Sequence, residues 1–472
     1  MSNEPLWKLS AFKTVSLIKK REISAVEAVS SSIERVKSKN QKLNAVVDDL
    51  SEEALNEAKK LDEIAQKGEL KGPLHGVPIT IKENIDQEGR TTPNGLVALK
   101  NLIAPGNAPV VDNLKNAGAV IIGRTNTPEF SMRGTTDNVL HGRTFNPWND
   151  WASPGGSSGG ASAAVMSGMG SLAHGNDIAG SLRIPSTATG ATTVKPGLGR
   201  VPAYNPSQTQ ERGLVAQLMS VQGLIAREVK DVRLGFKSLI KYDPRDPWMV
   251  EVPFESPQIE KPTKIGYTKE TLGEELDPAV EKALDNAKEA LEDAGYILEE
   301  IVLPEFKETS TFSAKTLFGE VKTIHQKDYV TYGSEIFNKI ANNYFELTEP
   351  FQGNDLLLGM AKRSYFFRLW NLFFRKYPLV LTPFLLYQTY EWNRDAQGIE
   401  GTKEVLAGMF YAHTMNYLGI PAGVVSANYN DGLPIGVQII SSRYREDWIL
   451  DACEAIESRI GVMAEKLFSR EH

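Results

Sequence analysis

Residues 11–40 alternate apolar and polar positions in the manner of helix, and Ser24-Ala25-Val26-Glu27 has capping-box spacing, in which serine and glutamate satisfy free amide groups at a helix start. A further helix is predicted at about 52–66. From residue 74 the period changes. Val77 to Ile81 predicts a buried strand, 109–117 a helix with Val110, Val111, Leu114 and Ala117 turned inward, and Ala119 to Ile122 another strand. The alternation returns near the C-terminus, with helix at 403–418, strands at 421–426 and Ile435 to Ile440, and helix at 446–458. Such a pattern predicts an α/β layered fold.

The stretch between these regions differs. Residues 155–200 are rich in Gly, Ser, Ala and Thr, yet Ala161 to Met169 can continue as a small-residue helix and Leu172-Ala173 as a short strand, so the segment is no linker. Small side chains there permit close backbone approach. Residues 243–262, with Pro244, Pro247, Pro253, Pro257 and Pro262, predict a long irregular connection. It marks an internal lobe boundary within a chain otherwise read as one domain over 1–472, or else the strands on both sides share a sheet. The charged helix predicted at 277–294 reads as a solvated amphipathic face. Tyr365 to Phe374 is the most aromatic run, read first as core and second as an apolar substrate pocket or surface patch.

Composition narrows the function classes. A length of 472 residues exceeds the usual single-core size, and 41% hydrophobic with 24% charged residues is ordinary for a soluble globular protein. A net charge of -7 argues against a broad nucleic-acid surface. Cys453 is the only cysteine, so no internal disulfide forms, which suits a reducing cytoplasm; its helical neighbours give it a packing role. The N-terminal residues lack a signal-peptide apolar stretch, and no segment approaches an 18-residue apolar run, so a cytoplasmic protein with no membrane partner is expected. Homo-oligomer formation is left open.

Two serines in glycine-rich loops and one lysine carry the chemistry. Ser157 lies in Pro154-Gly155-Gly156-Ser157-Ser158-Gly159-Gly160, Ser181 in Asp177-Ile178-Ala179-Gly180-Ser181-Leu182-Arg183, and Lys82 at the end of the apolar run Val77 to Ile81. These suffice for acyl transfer without histidine or metal, provided the lysine is neutral. A free lysine titrates near 10.4, and burial lowers that by roughly 3–5 units.

Other motifs fare less well. Gly155 to Gly159 formally matches a G-x-S-x-G nucleophile elbow, but Asn149 to Pro154 is no strand. Ser16-Leu17-Ile18-Lys19 and Ser238-Leu239-Ile240-Lys241 match S-x-x-K within ordinary amphipathic helices. The six histidines show no i, i+4 zinc pairing, and one cysteine cannot form a thiolate cluster, so no metal is expected. A P-loop and dinucleotide glycine spacing are both absent, so no cofactor is expected.

These blocks resemble the amidase signature family, enzymes with a Ser–cis-Ser–Lys triad. The resemblance covers most of the chain: Gly72 to Pro78, Gly123 to Phe130, Phe145 to Asn149, the serine loops, Val194 to Val201, Asn416 to Ala422 and Gly432 to Gln438. It implies a single domain around a mixed, mainly parallel sheet enclosed by helices. It also implies Ser181 as nucleophile, Ser157 as bridging cis-serine, Lys82 as base, Ser158 as an orienting donor, and the amides of Ile178, Ala179, Gly180 and Ser181 as the oxyanion hole. Asp177 and Arg183 read as structural braces for the loop.

Departures point to a branch. Ala179 stands where many members have glycine, Ser186 to Gly190 lacks their cysteine, and His174-Gly175-Asn176-Asp177 is similar to the 6-aminohexanoate cyclic dimer hydrolase branch. The implied substrates are linear or cyclic amides, anilides or carbamates with apolar acyl parts. The alternatives are the glutaminase A subunit of a tRNA-dependent amidotransferase, whose members usually carry Thr-Gly-Gly-Ser in place of Ile178-Ala179-Gly180-Ser181, a silent scaffold, and a membrane-associated lipid amidase using Tyr365 to Phe374.

Overall fold

The computed structural model describes residues 4–470. Its strands, in chain order, are β1 (Val46–Asp49), β2 (Pro78–Lys82), β3 (Val120–Thr125), β4 (Leu172–Asp177), β5 (Thr192–Lys195), β6 (Val221–Ala226), β7 (Thr263–Tyr267), β8 (Tyr296–Glu300), β9 (Leu379–Pro383), β10 (Ala422–Asn430) and β11 (Leu433–Ser441). They form one 11-stranded sheet in the order β1-β3-β2-β4-β6-β5-β10-β11-β9-β7-β8. The sheet is mixed: β2–β3, β2–β4, β7–β8 and β7–β9 are parallel and the other neighbours antiparallel. The parallel share is therefore smaller than the resemblance implies. The tight turn between β10 and β11 makes a hairpin, and a hairpin is antiparallel by construction.

Alternation along the central strands sorts side chains to two sides. Leu172 and Leu224 join the cluster that includes Val232, Phe236, Leu284 and Ile449, whereas their chain neighbours Ala173 and Ile225 join Ala161, Val165 and Met166. Helices Val229–Leu239, Pro278–Asp293 and Glu446–Ile460 supply the first cluster and the small-residue helix Gly159–Met166 the second. Small residues let that helix sit close to the sheet. At Gly160 an added Cβ would lie 2.6 Å from the Asn126 backbone.

Most elements fall where periodicity predicts them, with informative exceptions. The stretch 11–40 is two helices, Ala11–Lys19 and Ala25–Leu43, because Arg21 adopts a left-handed φ of 58° between them; the capping box of Ser24 and Glu27 starts the second. Likewise 403–418 falls within two helices, Gly398–Ala407 and Phe410–Leu418. Pro278–Asp293 is amphipathic, with Val280, Ala283, Leu284, Ala287 and Leu291 in the core. Residues 243–262 carry no helix or strand, and β6 and β7 on either side lie in the same sheet. Within the aromatic run, Phe366, Trp370 and Phe374 are buried in a core cluster while Leu372 is exposed. Cys453 is buried, as its packing role requires.

Candidate active site

Parallel strands β2 and β4 pair Ile79 with Leu172 and Thr80 with Ala173, which brings their C-terminal ends side by side. Lys82 ends β2, and Asn176 and Asp177 end β4. Ligands of open α/β sheets gather at such strand ends. After Lys82 the chain is held by Arg124, whose guanidinium donates to the carbonyls of Glu83 at 2.8 Å and Ile85 at 2.6 Å. Glu83 accepts the Gly95 N–H at 2.8 Å and faces His141 Nε2 at 2.9 Å.

Ser157 enters from the loop before helix Gly159–Met166, and the Gly156–Ser157 peptide is cis. Gly156 is required sterically, since a Cβ there would press on the Arg133 carbonyl oxygen and lie 2.8 Å from Gly134 C. Thr127 Oγ1 donates to the Ser157 carbonyl at 3.0 Å, which fixes that loop against the segment after β3.

Lys82 Nζ lies 2.6 Å from Ser157 Oγ, 3.1 Å from Ser158 Oγ and 2.8 Å from Asn176 Oδ1. Its side chain has 0% exposure. Burial lowers its pKa from 10.5 to about 7, against the opposing pull of Asp177 and Glu83. Burial therefore brings loss of the amine's proton down toward neutral pH.

Ser181 occupies the turn between β4 and helix Arg183–Thr189 and is half-buried. Its loop is tied to the Ser157 loop by the Ser158 N–H, which donates to the Ser181 carbonyl at 3.3 Å. Among the described residues no hydrogen bond joins the Ser157 and Ser181 hydroxyls. Both serines nonetheless line one cavity of about 290 Å³.

Asp177 organises the turn. Its carboxylate accepts the Gly180 N–H at 2.7 Å and the Leu182 N–H at 3.1 Å, and pairs with fully buried Arg183 at 3.1 Å. Arg183 continues to Gln438 at 2.8 Å and Asn416 at 2.6 Å. The brace roles expected of Asp177 and Arg183 are what their contacts show. Because the Gly180 N–H is committed to Asp177, it is not free to face a ligand. The N–H groups of Ile178, Ala179 and Ser181 have no partner among the described residues.

The apolar part of the cavity lining includes Ile85, Phe130, Met132, Ile178, Val321 and Tyr329, with the rings of Phe130 and Tyr329 4.6 Å apart. None of Tyr365 to Phe374 lines it. Among the described residues no group of His, Cys, Asp or Glu is placed to hold a metal, and no helix is long and apolar enough to cross a membrane.

A family model described as Amidase matches residues 27–450. The chain belongs to the amidase family. It is an amide hydrolase, acting on C–N bonds. Indoleacetamide hydrolase of Bradyrhizobium diazoefficiens is 45% identical over 465 residues, spanning 98% of this chain and 89% of the relative. Acylamidase of Rhodococcus erythropolis is 33% identical, over 95% of this chain and 94% of the relative. The solved structure of 6-aminohexanoate cyclic dimer hydrolase complexed with substrate superposes with a TM-score of 0.83 at 25% identity, covering 97% of this amidase and 98% of that chain.

Two features of this amidase site were not singled out by sequence. Asn176 stood out only as a member of a branch motif, yet it touches the lysine amine. Asn84, Ser131 and Asn94 form a polar chain beside it, Asn84 Nδ2 donating to Ser131 Oγ at 2.9 Å and Ser131 Oγ to Asn94 Oδ1 at 2.6 Å. The sequence signal for Asn84 is its place two residues after Lys82.

Proposed function

We propose that this amidase hydrolyses small primary amides whose acyl part carries a flat aromatic ring, of the indoleacetamide kind, through an acyl-enzyme on Ser181. The observation that carries this reading is the cavity itself, which has Ser157 and Ser181 in its lining, Lys82 Nζ 2.6 Å from Ser157 Oγ, and Phe130 and Tyr329 in the apolar part of that lining. At about 290 Å³ it is at the small end for ligand sites. The 45% identity to an indoleacetamide hydrolase supports the aromatic acyl group.

In the proposed chemistry, Ser181 Oγ turns about χ1 toward Ser157 and attacks the amide carbon. Its proton passes to Ser157 Oγ as the Ser157 proton passes to neutral Lys82. The developing oxyanion is received by the unpartnered N–H groups of the turn, Ile178, Ala179 and Ser181, each such donor contributing on the order of 2.7–4 kcal/mol. Reversal of the relay protonates the nitrogen, the C–N bond breaks and ammonia leaves. Water then attacks the ester by the same relay, which frees the acid and restores the Ser181 hydroxyl.

Steady-state rates on indole-3-acetamide, phenylacetamide, acetamide and glutamine test the substrate assignment. Burying the ring is worth about 1.5–3 kcal/mol, so kcat/KM for the arylacetamides should exceed that for acetamide roughly ten- to hundred-fold. A preference for glutamine would instead favour the amidotransferase reading.

A further inference from the structure

We propose that Asn176 is a positioning residue that aims the lone pair of Lys82 at Ser157. The inference rests on Lys82 acting as the base, and it follows from an inventory of hydrogens.

A neutral lysine amine has two N–H donors and one lone pair, and Lys82 Nζ has three oxygens within reach: Ser157 Oγ, Ser158 Oγ and Asn176 Oδ1. An amide oxygen carries no hydrogen, so Asn176 Oδ1 can only accept, and at 2.8 Å it takes one N–H. Ser158 Oγ directs its own hydrogen to the Asn176 carbonyl at 3.4 Å, so it accepts the second N–H. The remaining direction, toward Ser157 Oγ at 2.6 Å, is the lone pair. Ser157 O–H is thereby the donor to Lys82, the polarity that proton abstraction requires. Asn176 supports both other positions, one with its side chain and one with its main chain.

The orientation of the Asn176 amide is itself held. Asn176 Nδ2 donates to Asn84 Oδ1 at 3.0 Å, and Asn84 Nδ2 donates to Ser131 Oγ at 2.9 Å. These contacts turn Oδ1, and not Nδ2, toward the lysine. Without them a flipped amide would point N–H at N–H, and the amine would lose its fixed rotation.

The charged and titratable groups facing Lys82 are Asp177 and His174 from β4 and Glu83 from its own strand end. His174 is buried, with its pKa pushed down to about 3, and stays neutral through the working range. Asp177 and Glu83 favour the ammonium form. Asn176 touches the amine without adding charge, so it directs the lone pair while favouring the ammonium less than a carboxylate would.

The test compares pH profiles of kcat and KM for Asn176→Asp and Asn176→Ala with wild type, beside Lys82→Ala and Ser181→Ala, all checked by thermal melting. The first variant keeps shape and adds an anion beside the amine. Its acid limb of kcat/KM should move up by at least one pH unit, with rate recovered at alkaline pH. Asn176→Ala removes an acceptor that favours the ammonium, so its limb should move below wild type, and kcat should fall at least ten-fold while KM changes less than about three-fold. If Asn176→Asp does not fold, Asn176→Ala decides alone. Folded variants whose limbs coincide with wild type, or whose loss lies in KM, would overturn the positioning role while an inactive Lys82→Ala still upheld the relay. Near-normal turnover by Lys82→Ala would overturn the relay and this inference with it.

Discussion

Asp177 Oδ1 accepts the Gly180 N–H at 2.7 Å, so one carboxylate folds the turn that presents Ser181. Gly180 has φ +113°, and a Cβ there would lie 2.7 Å from Ile184 Cδ1 and 2.8 Å from Ala412 Cβ. Gly180→Ala should therefore shift the turn and misdirect the neighbouring N–H groups. Since a lost oxyanion donor costs on the order of 2.7–4 kcal/mol, kcat should fall roughly 100- to 1,000-fold while KM changes little. Backbone strain of about 1–3 kcal/mol should lower the melting temperature as well. Both are read from steady-state kinetics and calorimetry on one preparation.

Asp177→Asn keeps an oxygen acceptor for Gly180 and removes the negative partner of buried Arg183. Breaking a buried ion pair from one side costs about 3–5 kcal/mol, which denaturant unfolding would register. The same change removes a group that raises the Lys82 pKa. The acid limb of kcat/KM should thus move to lower pH, opposite to the effect of Asn176→Asp.

Lys82 should cost the fold stability at neutral pH. With its pKa about 7 in the native state and 10.5 as the ordinary value, the unfolded chain binds more protons between those limits, so stability rises with pH across that window. Below pH 7 the penalty is complete and constant. Lys82→Met has no such group, and Lys195, buried and also lowered to about 7, is common to both proteins and cancels. The unfolding free energy of wild type relative to Lys82→Met should rise by about 2 kcal/mol from pH 7 to 9. A flat difference would mean that the native amine is charged.

Phe130→Leu preserves apolar volume and removes the ring that faces Tyr329 at 4.6 Å. An aromatic pair is worth about 0.5–1.5 kcal/mol beyond its area, so kcat/KM on arylacetamides should drop roughly three- to ten-fold with acetamide unaffected. Equal losses on both substrates would remove Phe130 from the acyl subsite.

What sequence made legible was mostly local. The Ser24 capping box, the inward face of Val110, Val111 and Leu114, and the strand leading to Lys82 are written in neighbouring residues, and each forms as read. The proportion of parallel to antiparallel neighbours was not legible, because pairings such as β5 with β10 join residues more than 200 positions apart. Asn176 gave no chemical signal of its own, since asparagine reads as polar filler until β2 and β4 lie side by side. The resemblance implied the Gly180 N–H as an oxyanion donor, whereas its bond to Asp177, which folds back on its own turn, could not be read from the sequence. Family blocks supplied the reaction class, whereas the apolar part of the cavity lining includes Phe130 and Tyr329, which are 199 positions apart and meet only in the folded chain.

The most direct measurement of the central claim is intact-mass analysis of the enzyme quenched during turnover of indole-3-acetamide, followed by peptide mapping. The account predicts a transient mass increase equal to the acyl group less one hydrogen, located on Ser181 and absent from Ser181→Ala. An adduct on any other residue, or full turnover by Ser181→Ala, would contradict it.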